Sequence, residues 1–444
     1  MIRRAVGWVD GHSGAVPLVR KGLRYVFPDH WSFLLGEIAL YSFLVLLGTG
    51  VYLTFFFDPS YETVVYDGVY EPLQGREVSQ AYHSVVDISL EVKAGLLMRQ
   101  THHWAANVFV VAIVLHLLRI FFTGAFRKPR RLTYYVGVTM LMLAVLEGFL
   151  GYSLADDLLS GMGLAIAYSV VASTPFVGGN VVLLLWEEPF PGTSEFLSRI
   201  YIGHVLLLPL ALGALIAIHL GLIVLTKHTQ FGGPRRLERN VVGTPLWPGY
   251  ALRSTGLLFA VAGLLFLLGG LVQINPVWLW GPYDTWLSTN GAQPDWYLGW
   301  LIGALRLMPG WEPHAWGYTF VPNPFWGGVA FPLVVFGFLF LWPTIERRLT
   351  GDDAFHHLLD RPTDVPWRTA TAVAVFTWVA CVFLAGASDR FFVQAGVPYE
   401  EQIWFWRGAV FVLPVLAFFL TRRLCVELGD ARRRTPASLG ADRS

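Results

Sequence analysis

Two apolar segments each carry a pair of histidines about four helical turns apart, His102 with His116 and His204 with His219. At about 100° per residue, fourteen residues return a side chain to within about 40° of its starting face, and fifteen to within about 60°. Each pair therefore lies on one stripe of its helix, its members about 21 Å apart along the axis. Two such helices facing each other would hold two stacked bis-histidine sites at two depths. Imidazole is a standard axial ligand for haem iron, and iron held between two histidines has no open position, so it carries electrons rather than binding oxygen. His103 is turned about 220° from His116 by the same arithmetic. That makes His102 the ligand candidate and His103 a neighbour facing protein or the membrane surface.

Glycines repeat the interval. Gly36 and Gly50 lie in one apolar segment, Gly137 and Gly151 in another, and both pairs are fourteen apart. A flat macrocycle between helices needs places where no side chain intrudes, and glycine provides them. With 45 glycines in the chain, any one alone reads as ordinary packing; two pairs at the ligand interval read as haem clearance. Arg99 and Arg119 lie three residues outside His102 and His116, and Arg199 lies five before His204. Each is a candidate partner for a haem propionate, with plain interfacial anchoring as the alternative.

These residues need a membrane scaffold. Hydrophobic residues make up 55% of the 444-residue chain, charged ones only 14%, which marks an all-α polytopic membrane protein. Eight segments are long enough to cross a bilayer, roughly 31–57, 102–123, 133–154, 197–225, 250–273, 325–343, 368–387 and 403–421, here spans A to H. The B–C, D–E and F–G connections and the tail after H are basic; A–B, C–D and G–H are acidic or mixed. The positive-inside rule then puts both termini in the cytoplasm, His102 and His204 near the outer face, and His116 and His219 near the inner face. Each haem would take one ligand from B and one from D. Residues 1–235 are expected to form a haem-binding four-helix bundle, and 236–444 a C-terminal region of spans E to H.

Other classes are excluded by composition. A net charge of +1, with no basic run interleaved with aromatics, gives no footprint for nucleic acid. Only Cys381 and Cys425 exist, so covalent haem attachment through CxxCH, a cysteine zinc site and an iron–sulfur cluster in this chain are ruled out. The 18 tryptophans suit a protein anchored at two membrane interfaces. Residues 1–28 are mixed and basic, without the apolar core of a signal peptide, so targeting is expected to come from the first span.

The long E–F connection, about 274–324, is rich in Pro, Gly and Trp, and is expected to hold a substrate site on the outer side. His102-His103-Trp104, the two histidine pairs, Gly151-Tyr152 and Pro294-Asp295-Trp296-Tyr297 together resemble the cytochrome b subunit of cytochrome bc complexes, the quinol:cytochrome c oxidoreductases. The resemblance covers nearly the whole chain. Gly151–Gly163, Lys227–Gly233 and Gln293–Pro309 are most similar to the subunit of high-GC Gram-positive bacteria. It implies two non-covalent haem b groups, held by His102 with His204 and by His116 with His219. It implies a Q-cycle at the cell membrane: quinol, by this branch menaquinol, is oxidised at an outer site, one electron leaving to a Rieske iron–sulfur protein and the other crossing to an inner quinone site. Implied partners are that Rieske protein, a cytochrome c subunit, membrane lipid and a second copy of the chain, with a terminal oxidase as a candidate further partner.

In the family the tetrad's acid accepts a proton from quinol, and Asp295 holds that position here where glutamate is commoner. The alternative reading is that Asp295 caps the helix that follows. Tyr297, Tyr152 and Glu147 are candidates to line the same pocket, Glu147 because an acid within a span is functional by default. Ala155 stands where much of the family has proline, and Asp156 with Asp157 reads either as a proton exit or as a solvated turn. At the inner side Lys227 and His228 are candidate proton donors, and His356 with His357 reads as surface. Two other classes compete. A smaller membrane-anchor cytochrome would lack the Pro294–Tyr297 tetrad, and a haem-free transporter would leave the glycine pairs without a purpose.

Overall fold

A computed structural model describes residues 15–288 and 295–434. Its eight long apolar helices are Trp31–Thr54 (A), Gly95–Thr123 (B), Arg131–Ser153 (C), Glu195–Thr226 (D), Leu246–Leu271 (E), Trp326–Thr350 (F), Pro366–Gly386 (G) and Tyr399–Arg432 (H). All are long enough to cross a bilayer, and the fold is all-α apart from four two-stranded ribbons among the described residues. A runs along B, D along C, and E covers the A–B pair, while G lies against H and the short helix Gly299–Leu307.

Three boundaries differ from hydropathy. B starts seven residues before His102, because its polar first turns find partners in the E–F connection. Gln100 donates to the carbonyl of Ile274 and accepts from its N–H, both at 2.8 Å. F continues past Pro343 to Thr350, since Glu346 in its last turns is buried against Arg368 of G at 2.9 Å. H runs to Arg434 as a charged helical extension.

The C–D connection carries two helices that the sequence did not announce, Leu158–Ala172 and Gly178–Trp186. Both are apolar but too short to span. The first is fixed by a capping box: Asp157 accepts from the N–H groups of Leu159 and Ser160, and Ser160 Oγ accepts from the Asp157 N–H. At the other end of the bundle, B stops at Gly124 with φ +66°, where a side chain would run into the Arg368 and Arg127 guanidinium groups. Arg368, 3% exposed, bonds Glu346 and Asp360, and Arg127 also reaches Asp360, tying B, F and G into one layer.

Candidate haem and quinol sites

D begins as a regular helix, Ser194–Ile202, passes through one π-helical turn at Gly203–Leu207, and resumes as Leu208–Thr226. The Leu208 N–H bonds the Gly203 carbonyl, an i→i+5 closure that takes in one extra residue. His204 sits in that turn. The fifteen-residue interval of D is thereby brought close to the rotation of the fourteen-residue interval in B, and the D pair faces the B pair more squarely than 60° of drift would allow.

The rings of His102 and His204 face each other with centroids 6.1 Å apart and planes at 78°. Each of the four histidines stands opposite one of the four spaced glycines. A Cβ on Gly50 would lie 3.2 Å from His102 Cε1, on Gly36 3.4 Å from His116 Cε1, and on Gly137 3.7 Å from His219 Cε1. On Gly151 it would collide with the His204 ring. Two layers result, Gly50–His102 with Gly151–His204 and Gly36–His116 with Gly137–His219. The first lines a cavity of about 260 Å³ bounded also by Arg99, Phe109, Glu147 and Leu212.

The residues present fit a bis-histidine haem. Among the described residues, Arg119 Nε and Nη2 and Arg99 Nε are buried without hydrogen-bond partners. Such orphaned groups are costly unless a ligand or water answers them. Arg119, stacked 4.3 Å over Phe33, offers its free N–H groups beside the second layer. Arg99 is partly engaged, with two bonds to the Asn275 carbonyl at 3.1 and 3.2 Å and the Trp278 ring beneath it. Arg199 requires a correction. It bonds Glu187 and the carbonyls of Leu184 and Leu185, closing the end of the Gly178–Trp186 helix, and its charge is spent there.

A second cavity, about 580 Å³, adjoins the first through His103, Tyr152, Asn275 and Asp295, which line both. Its volume lies in the usual range for a small-molecule site. Asp295 occupies an N-cap position but makes no capping bond. Its carboxylate instead meets His103 Nε2 at 2.7 and 2.9 Å, and accepts from the Tyr297 hydroxyl at 3.1 Å. Of the two expected surroundings, protein or membrane surface, His103 therefore faces protein, at this cavity. The turn that carries it away from His116 aims it at the returning E–F connection. Tyr297 is held against Gly148, where a Cβ would be 2.6 Å from its hydroxyl, and the buried Tyr152 hydroxyl has no partner among the described residues. Pro294 and Gln293 lie outside the described residues.

Asp156 and Asp157 are buried rather than a solvated turn, at 9% and 0% exposure. Burial pushes the Asp156 carboxyl up to about 7, against a 2.5 Å hydrogen bond from Ser79 that favours ionisation. Glu147, six residues before the end of C at Ser153, approaches His204 rather than Asp295.

Toward the other end, His228 is buried among Tyr25, Phe27 and Phe33, and burial followed by the charges of Arg130 and Arg119 lowers it to about 4. Lys227 gives its carbonyl to Arg130, which also bonds the His356 carbonyl and His357 Nδ1. His356 pairs with Asp352 at 2.8 Å. The two F–G histidines are thus partly buried parts of a loop clasp.

Sequence reasoning missed His103 as a site residue, and missed Thr49, whose hydroxyl lies 3.0 Å from His102 Nδ1. Adjacency to Gly50 was the one signal for Thr49.

A family model described as cytochrome b (N-terminal)/b6/petB matches residues 107–282. The cytochrome bc1 complex cytochrome b subunit of Streptomyces coelicolor is 45% identical over 425 residues, covering 96% of this chain and 78% of that one. Its counterpart from Mycobacterium leprae is 48% identical over 416 residues, covering 94% and 75%. Among solved structures, a chain of a hyperthermophilic respiratory Complex III aligns with a TM-score of 0.70 at 20% identity, over 95% of this chain and 99% of that one, a likeness of fold.

Proposed function

The chain belongs to the cytochrome b subunit family of the cytochrome bc1 complex, and from that premise we propose that it oxidises quinol at the Asp295 cavity and conducts one of the two electrons across the plasma membrane. The observation that supports this most is the adjoining of two cavities, one lined by the facing imidazoles of His102 and His204, the other by His103 and Asp295. His102 with His204, and His116 with His219, would hold two haem b groups, which when bound supply one-electron transfer between the two depths of the membrane.

The protein's own part is binding and proton handling. Asp295 lies at the cavity wall with His103 Nε2 and Tyr297 fixing its carboxylate, so it is positioned to take a quinol hydroxyl proton. Aspartate is one methylene shorter than the commoner glutamate, and His103 holds the shorter acid against the wall. Tyr152, with its hydroxyl unpartnered, is placed to donate to or accept from a quinol oxygen. The remaining electron of each quinol goes to a Rieske iron–sulfur protein, with a cytochrome c subunit beyond it. Protons are released on the side of the E–F connection, and both termini lie in the cytoplasm.

The test is quinol-driven reduction of haem in the purified complex. Asp295→Asn should slow it by roughly 10²-fold or more, as loss of a general base does, while leaving two haems per chain. Unchanged rates in that variant would count against the assignment of the site.

A further inference from the structure

The Nδ1 atoms of the four candidate ligands have different surroundings. Among the described residues that of His116 has no partner, the His219 ring has only a backbone contact at Thr133, and Nδ1 of His102 meets a neutral hydroxyl, Thr49 Oγ1, at 3.0 Å. Among the described residues, His204 is the one candidate ligand that faces a carboxylate. Its Nδ1 is 3.0 Å from Glu147 Oε1 and 3.2 Å from the Glu147 carbonyl oxygen. The second carboxylate oxygen, Oε2, is buried without a partner, and the side chain is 17% exposed. The π turn carrying His204 lies against span C beside Gly151, four residues after Glu147 and one helical turn along the same face.

A carboxylate inside a span is costly and needs a partner. Beside a ligand's outward ring nitrogen it does two things: it fixes the tautomer, leaving Nε2 free for the metal, and it raises the basicity of the imidazole. A more basic ligand favours the ferric over the ferrous charge, so the reduction potential falls.

Resting on the bis-histidine reading above, we propose that Glu147 is a positioning residue that acts through His204 to hold the outer haem at a lower reduction potential than the inner one. Glu147 is then not part of the quinol pocket proper. It makes transfer from the outer to the inner layer downhill, using a group that the inner layer lacks.

The experiment is a redox titration of the haem absorption bands in the whole complex, for the unmodified chain, Glu147→Gln and Glu147→Asp. Haem per chain is measured alongside, together with the electron paramagnetic resonance of the oxidised state. In Glu147→Gln the lower of the two potentials should rise toward the upper one, which stays in place. The ferric signal of that centre should shift with it. Glu147→Asp keeps the charge and should stay closer to the unmodified protein. Unchanged potentials in Glu147→Gln, or both moving together, would overturn the proposal, as would loss of one haem in both variants. Absence of haem from the unmodified chain would instead sink the bis-histidine reading itself.

Discussion

His103 Nε2 lies 2.7 Å from Asp295 Oδ1, joining two residues 192 positions apart in the chain at the seam between two cavities. The contact puts an imidazole next to the acid assigned to quinol deprotonation, and one residue from a proposed metal ligand. His103→Leu should leave two haems per chain, because its ring points away from His102's partner, yet slow quinol oxidation by about tenfold or more through loss of a charge-assisted hydrogen bond of about 1.5–3 kcal/mol. Parallel haem assay and steady-state quinol oxidation would check it; an unchanged rate would remove His103 from the site.

The glycines can be separated by layer. A side chain on Gly50 or Gly151 meets the His102 or His204 ring, whereas one on Gly36 or Gly137 meets His116 or His219. Gly151→Val should therefore cost the outer haem alone and Gly36→Val the inner alone, each bringing the haem content from two to about one per chain. Pyridine haemochrome assay gives the content, and the potential of the surviving haem says which layer was lost. Loss of both haems from either variant would show that the layers are not independent.

The π turn predicts an asymmetry between B and D. Deleting Leu206 within Gly203–Leu207 lets D close as a plain α-helix with a fourteen-residue interval, and both haems should remain. Deleting Val111 from B, which has no such turn, rotates His102 by about 100° against His116 and should abolish at least one site. Equal tolerance in the two helices would refute the role given to the turn.

Asp156 predicts a pH dependence of stability. Its folded pKa, pushed up to about 7 by burial, stands above the ordinary carboxylate value of 3.8, with Ser79, Asp157, Tyr61 and Tyr283 around it. The folded state thus holds this proton more tightly than the unfolded chain. The contribution is complete below the unfolded value and is lost as pH rises through about 7, on the order of 4 kcal/mol across the window. Thermal unfolding in detergent should show a larger loss from pH 5 to pH 8 in the unmodified chain than in Asp156→Asn. Equal losses would place the titration elsewhere.

Much of this arrangement was legible in the sequence because it is periodic. Intervals of fourteen and fifteen, shared by histidines and glycines, need only helix geometry to be read as layers. What escaped was made by tertiary contact. Arg99 and Gln100 look like a polar connection until the E–F segment returns to bond them, so B seemed to begin at His102. Hydropathy cannot see an i→i+5 turn, and the drift of His204 therefore looked uncorrected. Arg199 resembled a propionate partner by distance along the chain, but Glu187 and the carbonyls of an unforeseen helix claim it. The facing of Glu147 and His204 joins two spans, and nothing in either span alone announces it.

The measurement closest to the central claim is a redox-titrated difference spectrum of the purified chain with haem counted per polypeptide. Two b-type haems titrating at separate potentials are predicted. A single haem would contradict the two-layer account, and a colourless protein would contradict electron transfer through this chain altogether.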